Sequence, residues 1–208
     1  SYQPLFFKLA NSNDQEDAKS KLFKYNSGYA IVMIFIVFFI TFFSKEMITL
    51  FLNEKYYEAY KIVPLIAIAY FISQLGGLLN LSIYQVKKTK QLMYMVLGSA
   101  ILNIGLNFLL VPRFGAFGAA YATILSFLVF MIIKYFYTKK YCYFIPYRWL
   151  QIGLITLLLL VIYFIGLSFG SLNIFVVLGI KSLISLCLIG SGYWVLVKKY
   201  EIVKWGRK

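Results

Sequence analysis

Residues 25–43 read YNSGYAIVMIFIVFFITFF, an uncharged apolar run long enough to cross a lipid bilayer as a single helix. Similar runs recur along the chain, separated by short segments that are polar or carry Pro or Gly. The predicted spans are 25–43, 62–84, 92–111, 117–137, 149–167 and 174–197. The pattern therefore predicts an all-α protein, a polytopic membrane helical bundle of about six transmembrane helices.

The composition excludes several classes of protein. The 208 residues are 62% hydrophobic and only 13% charged, which is too apolar for a soluble nucleic-acid-binding domain. The chain has no His, and Cys142 and Cys187 are far apart, so neither a metal site nor a disulfide framework is expected. No catalytic residue and no cofactor are expected, and the chain is predicted not to be an enzyme.

The cations alternate between the two predicted sides of the membrane. Lys and Arg number 21 against 7 acidic residues, and most lie before span one, after spans two and four, and at the chain end. Because cytoplasmic loops are enriched in Lys and Arg, both ends of the chain are expected in the cytoplasm. We expect a cytoplasmic segment and helix start in residues 1–24, the six-helix bundle in 25–197 and a basic cytoplasmic tail in 198–208. The chain begins with Ser1 and shows no signal-peptide pattern, so it is expected to be part of a longer polypeptide.

A helix start is predicted just before span one. Ser12 and Gln15 have the spacing of a capping box, and Asp14, Glu16 and Asp17 suit the positive first turn of a helix. The helix is expected to run on from there into the membrane.

The connection between spans three and four predicts a tight reversal of the chain. Pro112 is expected to stop the outgoing helix, and Gly115 permits a sharp turn. In the returning helix, Gly118, Ala122 and Ser126 form a small-residue face that favours close helix packing.

Span two carries the most polar stripe of the predicted membrane region. Ser73, Gly77, Asn80 and Tyr84 share one helix face, with Gly76 beside them. One interpretation is close packing with an interhelical hydrogen bond from Asn80, and the other is a polar cavity.

Span three carries Ser99, Asn103 and Asn107 one turn apart on one face. A carboxamide has both donors and acceptors, which suit sugar hydroxyls as well as neighbouring helices. A glycan-lining role and a packing role for these residues therefore both stay open.

Two cations need an explanation. Arg113, at an outer helix end, either anchors to lipid head groups or holds an anionic group of a substrate. Lys181 is predicted to be the only cation inside a span, and it either faces a cavity and holds a phosphate, or snorkels, or pairs with a partner. The full set of candidates for a substrate path is Lys181, Arg113, Asn80, Asn103, Asn107 and Gln74.

All seven acidic residues are predicted to lie outside the spans, so a coupling carboxylate is expected in another part of the protein. Glu46, Glu54 and Glu58 are placed in a short outer loop. They are mixed there with Lys45, Lys55 and Lys61, which favours a solvated loop of mutually neutralising charges.

The sequence LNIGLNFLLVPRFG at residues 102–115, followed by GAAYAT at 118–123, resembles a recurrent segment of bacterial polysaccharide flippases. In that family an asparagine-bearing helix ends in Pro-x-Phe/Tyr-Gly, and the next helix begins with Gly-Ala-Ala-x-Ala-Thr. The loop LFLNEKYYEA at residues 50–59 is also similar to a junction of this family ahead of a long helix. The resemblance covers residues 4–137 by these motifs, and the last two spans only by hydropathy.

These proteins are the O-antigen and capsular repeat-unit transporters, of the Wzx or PST type, in the multidrug/oligosaccharidyl-lipid/polysaccharide superfamily. The resemblance implies the C-terminal half of a MATE-like two-bundle transporter in the bacterial cytoplasmic (inner) membrane. It implies that an oligosaccharide linked to undecaprenyl diphosphate moves from the cytoplasmic to the outer leaflet. The implied partners are lipid-linked oligosaccharide, membrane lipids and polysaccharide assembly proteins.

Two alternatives of other kinds are left open. One is a multidrug exporter of the same superfamily, which normally needs an intramembrane carboxylate that the predicted spans lack. The other is a membrane-embedded polysaccharide polymerase or glycosyltransferase, and the short outer loops weigh against it.

Overall fold

The computed structural model describes residues 2–142, 156–157 and 174–200, and this part of the chain is almost entirely helical. Its elements are α1 Tyr2–Ala10, α2 Gln15–Phe51, a 3₁₀ helix Glu54–Lys61, α3 Val63–Gln85, α4 Thr89–Phe114, α5 Ala116–Tyr141 and α6 Ile174–Tyr200. Helices α2 to α5 are long and apolar enough to cross a membrane, and α6 contains the shorter apolar stretch Val176–Leu188. The predicted helical membrane bundle is therefore confirmed.

Some of the predicted segments lie outside the residues that the structure describes. Apart from 156–157, the fifth predicted span, 149–167, lies outside the described residues, as does the chain beyond 200. The chain divides into two compact units. Unit 1 comprises Ser1–Phe23 and Pro64–Pro146, and unit 2 comprises Lys24–Val63 and Tyr147–Lys208.

Helix α1 was not predicted, and it folds back on the start of α2. A buried apolar cluster forms between these two helices and the end of α3; its members are Phe6, Leu9, Ala10, Ala18 and Leu22, with Leu5, Phe7, Phe23 and Leu81 packed against them. The Gln85 amide donates to the Ala10 carbonyl oxygen at 3.4 Å. Burial of this apolar surface stabilises helix α1, which is too short to be stable on its own.

The start of α2 differs in detail from the predicted capping box. Asp14 rather than Ser12 is the cap, because its Oδ1 accepts from the backbone N–H of Asp17 at 3.0 Å. The Gln15 amide donates to the Ser12 carbonyl oxygen at 2.7 Å and does not reach the Ser12 N–H. The prediction that the helix runs on through span one is correct, since α2 is continuous from Gln15 to Phe51.

The reversal between α4 and α5 is as tight as predicted, although Pro112 does not end the outgoing helix. Helix α4 continues to Phe114, because a proline in the last turn removes only one hydrogen bond there. Gly115 makes the turn with φ +57° and ψ −134°. A Cβ on Gly118 would overlap the carbonyl group of Leu110, so the two helices touch through their backbones.

The small-residue face of α5 is buried as predicted. Ala122 and Ser126 are fully buried, and the Ser99 hydroxyl of α4 donates to the Ser126 carbonyl oxygen at 3.3 Å. This contact places α4 directly on α5 within unit 1. By contrast, most of the rest of α4 is exposed, including Ile101 and Phe108.

The backbone contact at Gly118 predicts a strong effect of one methyl group. We expect Gly118→Ala to lower the free energy of unfolding by about 1 to 3 kcal/mol, because the added atom overpacks the α4–α5 contact. Thermal unfolding of the purified protein in detergent measures this change. Gly105→Ala is the matched control, since a Cβ there meets nothing within 4 Å. Equal melting temperatures of the two variants would contradict the proposed contact.

Candidate functional site

Two buried lysines dominate the polar chemistry of the described residues. Lys134 in α5 is 2% exposed and Lys181 in α6 is 4% exposed. Each lies seven residues from a helix end, Tyr141 for α5 and Ile174 for α6, or about 10 Å along the helix axis. An ammonium group at such a depth is costly unless oxygen atoms satisfy it.

In unit 1, Lys134 binds two oxygens of the facing helix α3. Its Nζ donates to the Gly76 carbonyl oxygen at 2.8 Å and to Asn80 Oδ1 at 2.9 Å. The Phe130 ring lies under the ammonium, with its centroid 3.9 Å from Nζ. A Cβ on Gly76 would lie 3.3 Å from Nζ, so the absence of a side chain at residue 76 makes room for the cation.

In unit 2, Lys181 has the same kind of environment on helix α2. Its Nζ donates to the Phe42 carbonyl oxygen at 2.6 Å and to Glu46 Oε1 at 2.7 Å, and it lies 4.8 Å from the centroid of the Phe42 ring. Glu46 is itself 4% exposed. The ion pair is therefore buried, with a backbone carbonyl as the third member.

We call this arrangement a lysine clasp: an ammonium group bound at once to a backbone carbonyl and to a side-chain oxygen one turn further along the facing helix. Gly76 and Asn80 form it in α3, and Phe42 and Glu46 form it in α2. The first clasp holds a cation with a neutral amide, and the second holds it with a carboxylate. Unit 1 thus contains a buried positive charge and unit 2 a buried neutral pair, as far as the described residues show.

Two sequence predictions about charge are corrected by these contacts. Lys181 is not the only cation inside a span, because Lys134 lies inside the predicted fourth span, within α5. Glu46 does not belong to an outer loop, because α2 extends to Phe51 and buries it. The apolar residues Met47 and Leu50 continue the helix beyond the charges, and pairing with Lys181 offsets part of the cost of burying the carboxylate.

A signal for the second clasp was present in the sequence. An intramembrane lysine needs an acceptor, and Glu46 is the first acidic residue after span one. What the sequence could not show is that α2 and α6 meet at these residues.

Part of the polar stripe of span two contacts another helix. Asn80 accepts from Lys134, and Gly76 lies against the lysine side chain, so these two residues face α5, whereas Tyr84 is exposed. Of the two interpretations of this face, the contacts support packing. Gln74, another candidate for the substrate path, is exposed.

Asn103 and Asn107 on α4 bind to each other. The Asn107 amide donates to Asn103 Oδ1 at 3.0 Å and to the Asn103 carbonyl oxygen at 2.9 Å. Both side chains are half-buried. Because each amide satisfies part of the other, the pair reduces the cost of placing polar groups on an apolar helix.

An open apolar groove of about 390 Å³ lies beside this amide pair, on the exposed side of α4. It is lined by Ile104, Asn107, Phe108, Val111 and Pro112. The groove combines apolar walls with a single amide, a surface suited to a hydrocarbon chain next to one polar group. Arg113 is exposed in the last turn of α4, so its side chain is free to reach a head group or an anion.

The segment between α2 and α3 keeps part of its predicted character. Glu58 and Lys61 form an exposed ion pair in the 3₁₀ helix, and the hydrogen bond to Glu58 raises the pKa of Lys61. Lys45 lies over the Tyr60 ring at 5.8 Å. Of the charged residues predicted to form a solvated loop, Glu46 is the one that is buried.

The end of unit 1 where α4 begins and α5 ends is basic and aromatic. Lys88 lies 4.9 Å from the Tyr141 ring and 5.9 Å from the Tyr137 ring, so the α3–α4 turn and the end of α5 are neighbours. Lys140 also lies over the Tyr141 ring, at 5.1 Å, so two of the predicted loop cations meet at this end of the unit. Burial raises the pKa of the adjacent Cys142 thiol, and Lys88 partly opposes that shift.

The Lys134–Asn80 clasp predicts that substitutions of its two members will differ in how strongly they destabilise the protein. Asn80→Ala removes an acceptor but leaves the buried ammonium, so we expect a loss of about 1.5 to 3 kcal/mol in the free energy of unfolding. Lys134→Met removes the charge itself and fills similar volume, so we expect a smaller loss. Denaturant unfolding of both single variants and the double variant measures the coupling. Additive losses would contradict a direct interaction between Lys134 and Asn80.

Comparison with known proteins places this chain. The family model described as "Lipid II flippase MurJ" matches residues 4–189, which is most of the chain. Neither a curated protein nor a solved structure matches it. The match supports the coarser sequence prediction, a multi-pass flippase of a lipid-linked saccharide and not an enzyme, but it does not support the O-antigen type specifically. With its membrane-length helices and the matched residues together, the chain belongs to the lipid II flippase MurJ family.

Proposed function

We propose that this chain forms part of a flippase for lipid II, the lipid-linked saccharide precursor used in peptidoglycan synthesis. The observation that carries the proposal is the family match over residues 4–189. The match includes both lysine clasps and the amide pair of α4.

The clasps support a transport mechanism based on moving helices. Each one ties a helix to a partner through a buried cation, which is costly to separate once formed. The pairs α3–α5 and α2–α6 are therefore suited to move as rigid bodies, each within its own unit. Alternating access requires such bodies, because packed helices shift between discrete arrangements.

The groove on α4 supports a lipid-linked substrate. Its walls include Phe108, which is 77% exposed, and Pro112, the residue that precedes Arg113 in the chain. A hydrocarbon chain would bury this apolar surface, and the guanidinium group would suit an anionic linkage such as the diphosphate that the family resemblance implies. We assign Arg113, Asn103 and Asn107 to the substrate path on this basis. Asn80 and Lys181 act through helix packing in the described contacts, and Gln74 is kept as a candidate because of its exposure.

The finer details of orientation and partners are part of the same proposal. We expect both ends of the chain in the cytoplasm of a bacterial cell, with transport from the cytoplasmic to the outer leaflet. A contact with proteins of polysaccharide assembly stays a prediction.

The full-length protein in proteoliposomes tests the function directly. Fluorescent lipid II in the inner leaflet becomes accessible to an external quencher only after flipping, and we expect the protein to accelerate this appearance. An O-antigen repeat unit on the same lipid carrier and a cationic drug are compared in parallel. Movement of the repeat unit but not of lipid II would replace the substrate proposed here, and movement of the drug alone would favour the exporter.

A variant at Arg113 tests the substrate path in the same assay. Arg113→Gln is expected to slow flipping by about tenfold, since loss of a charged hydrogen bond costs about 1.5 kcal/mol or more. Arg113→Lys keeps the charge and should lose less. The matched control is Lys55→Gln, a cation in the exposed 3₁₀ helix. Equal rates for Arg113→Gln and the control would remove Arg113 from the path.

A further inference from the structure

The two lysine clasps differ in one respect that points to a ligand. Asn80 accepts from Lys134 with its one side-chain oxygen, whereas Glu46 uses only one of its two carboxylate oxygens. Glu46 Oε2 is buried and has no hydrogen-bond partner. The Ser185 hydroxyl, one turn beyond Lys181 on α6, is also buried without a partner. An unpartnered carboxylate oxygen in an apolar helix is costly, because water is excluded from it.

We propose that Glu46 is a proton-binding site, and that protonation of its free oxygen Oε2 is coupled to movement of the substrate. The inference rests on the proposed flippase function and adds the ion to which transport responds. In the step itself, a hydronium ion transfers one proton to Oε2: one O–H bond of the hydronium breaks, one O–H bond to Oε2 forms, a water molecule remains, and the carboxylate becomes a neutral carboxylic acid. Release of the same proton restores the ion pair with Lys181.

The Lys134–Asn80 clasp shows why helix packing survives protonation of Glu46. Lys134 remains 2% exposed with a neutral amide oxygen and a backbone carbonyl as its acceptors. A protonated Glu46 keeps a carbonyl oxygen that accepts in the same way as Asn80 Oδ1. Lys181 also retains the Phe42 carbonyl and the Phe42 ring. Proton binding therefore changes the charge of the α2–α6 clasp without removing its contacts.

The charge change supplies the link to transport. With Glu46 ionised, the clasp is neutral; with Glu46 protonated, it carries the uncompensated charge of Lys181. A buried positive charge favours an anionic ligand bound to the same protein, since Coulomb interactions are strong where water is excluded. By linkage, an anionic lipid then raises proton uptake as much as the proton raises lipid affinity.

Few charged groups compete for this role. Among the side chains that the structure describes, Lys181 is the charged group of α6 that faces Glu46. Its neighbour in α2, Lys45, lies over the Tyr60 ring of the 3₁₀ helix. The Glu58–Lys61 pair of that helix is exposed. We therefore expect a pH response that is lost when this one carboxyl is replaced.

The pH dependence of flipping tests the proposal in the full-length protein. With fluorescent lipid II as the probe, the wild type is expected to flip faster as the pH falls, by at most about tenfold per pH unit because one proton is involved. Glu46→Gln mimics the protonated form, because its uncharged amide oxygen accepts from Lys181 as Asn80 Oδ1 accepts from Lys134. The flipping rate of this variant should therefore not vary with pH. The matched control is Glu58→Gln, which should keep the wild-type dependence. If Glu46→Gln keeps the wild-type dependence too, the proposal is wrong.

A second measurement does not need transport. Infrared titration of the purified protein detects the carbonyl band of a protonated carboxylic acid, and subtraction of Glu46→Gln isolates the contribution of Glu46. We expect this band to grow as the pH falls, and to be present already at neutral pH in Lys181→Met, where a buried carboxyl has lost its cation. A wild type that does not flip lipid II but shows the band would overturn the proposed function alone. Absence of the band from the difference spectrum would overturn the proton site.

Discussion

A lysine ammonium buried between apolar helices must be bound by oxygen atoms, and this constraint organises both units of the chain. Lys134 and Lys181 each meet it with a backbone carbonyl and one side-chain oxygen on a facing helix. The backbone carbonyl is available because a carbonyl oxygen has two lone pairs and can accept a second hydrogen bond beside that of its own helix. Each lysine thereby selects which helix packs against its own.

The choice of the second oxygen decides the charge of each unit. Asn80 leaves the charge of Lys134 uncompensated among the described residues, whereas Glu46 neutralises Lys181. The Lys134 site needs the space above Gly76, while the Lys181 site leaves a carboxylate oxygen free.

Much of the fold could be predicted from the sequence. The helices of spans one to four and the last span are found where the apolar runs lie, and the reversal at Gly115 and the small-residue face of α5 are present. Helix α1 was missed because it is short and depends on packing against Leu22 and Leu81. The end of span one was placed too early because Lys45 and Glu46 resemble a loop when read locally. For the site, Lys181 and Asn80 were identified as unusual, but Lys134 was overlooked although it lies inside the predicted fourth span, and Glu46 was assigned to a loop.

The sequence by itself determined that the chain is helical and that it resembles lipid-linked flippases, because hydrocarbon demands long uncharged helices and because the Asn, Pro and Gly motifs lie close together in the chain. The tertiary structure alone decided which residues satisfy the buried cations. The partners lie 54 residues apart for Lys134 and Asn80, and 135 residues apart for Lys181 and Glu46. Local periodicity gives the face on which a side chain lies, but not the helix that this face meets. Contact between distant helices turns two isolated polar residues into one clasp.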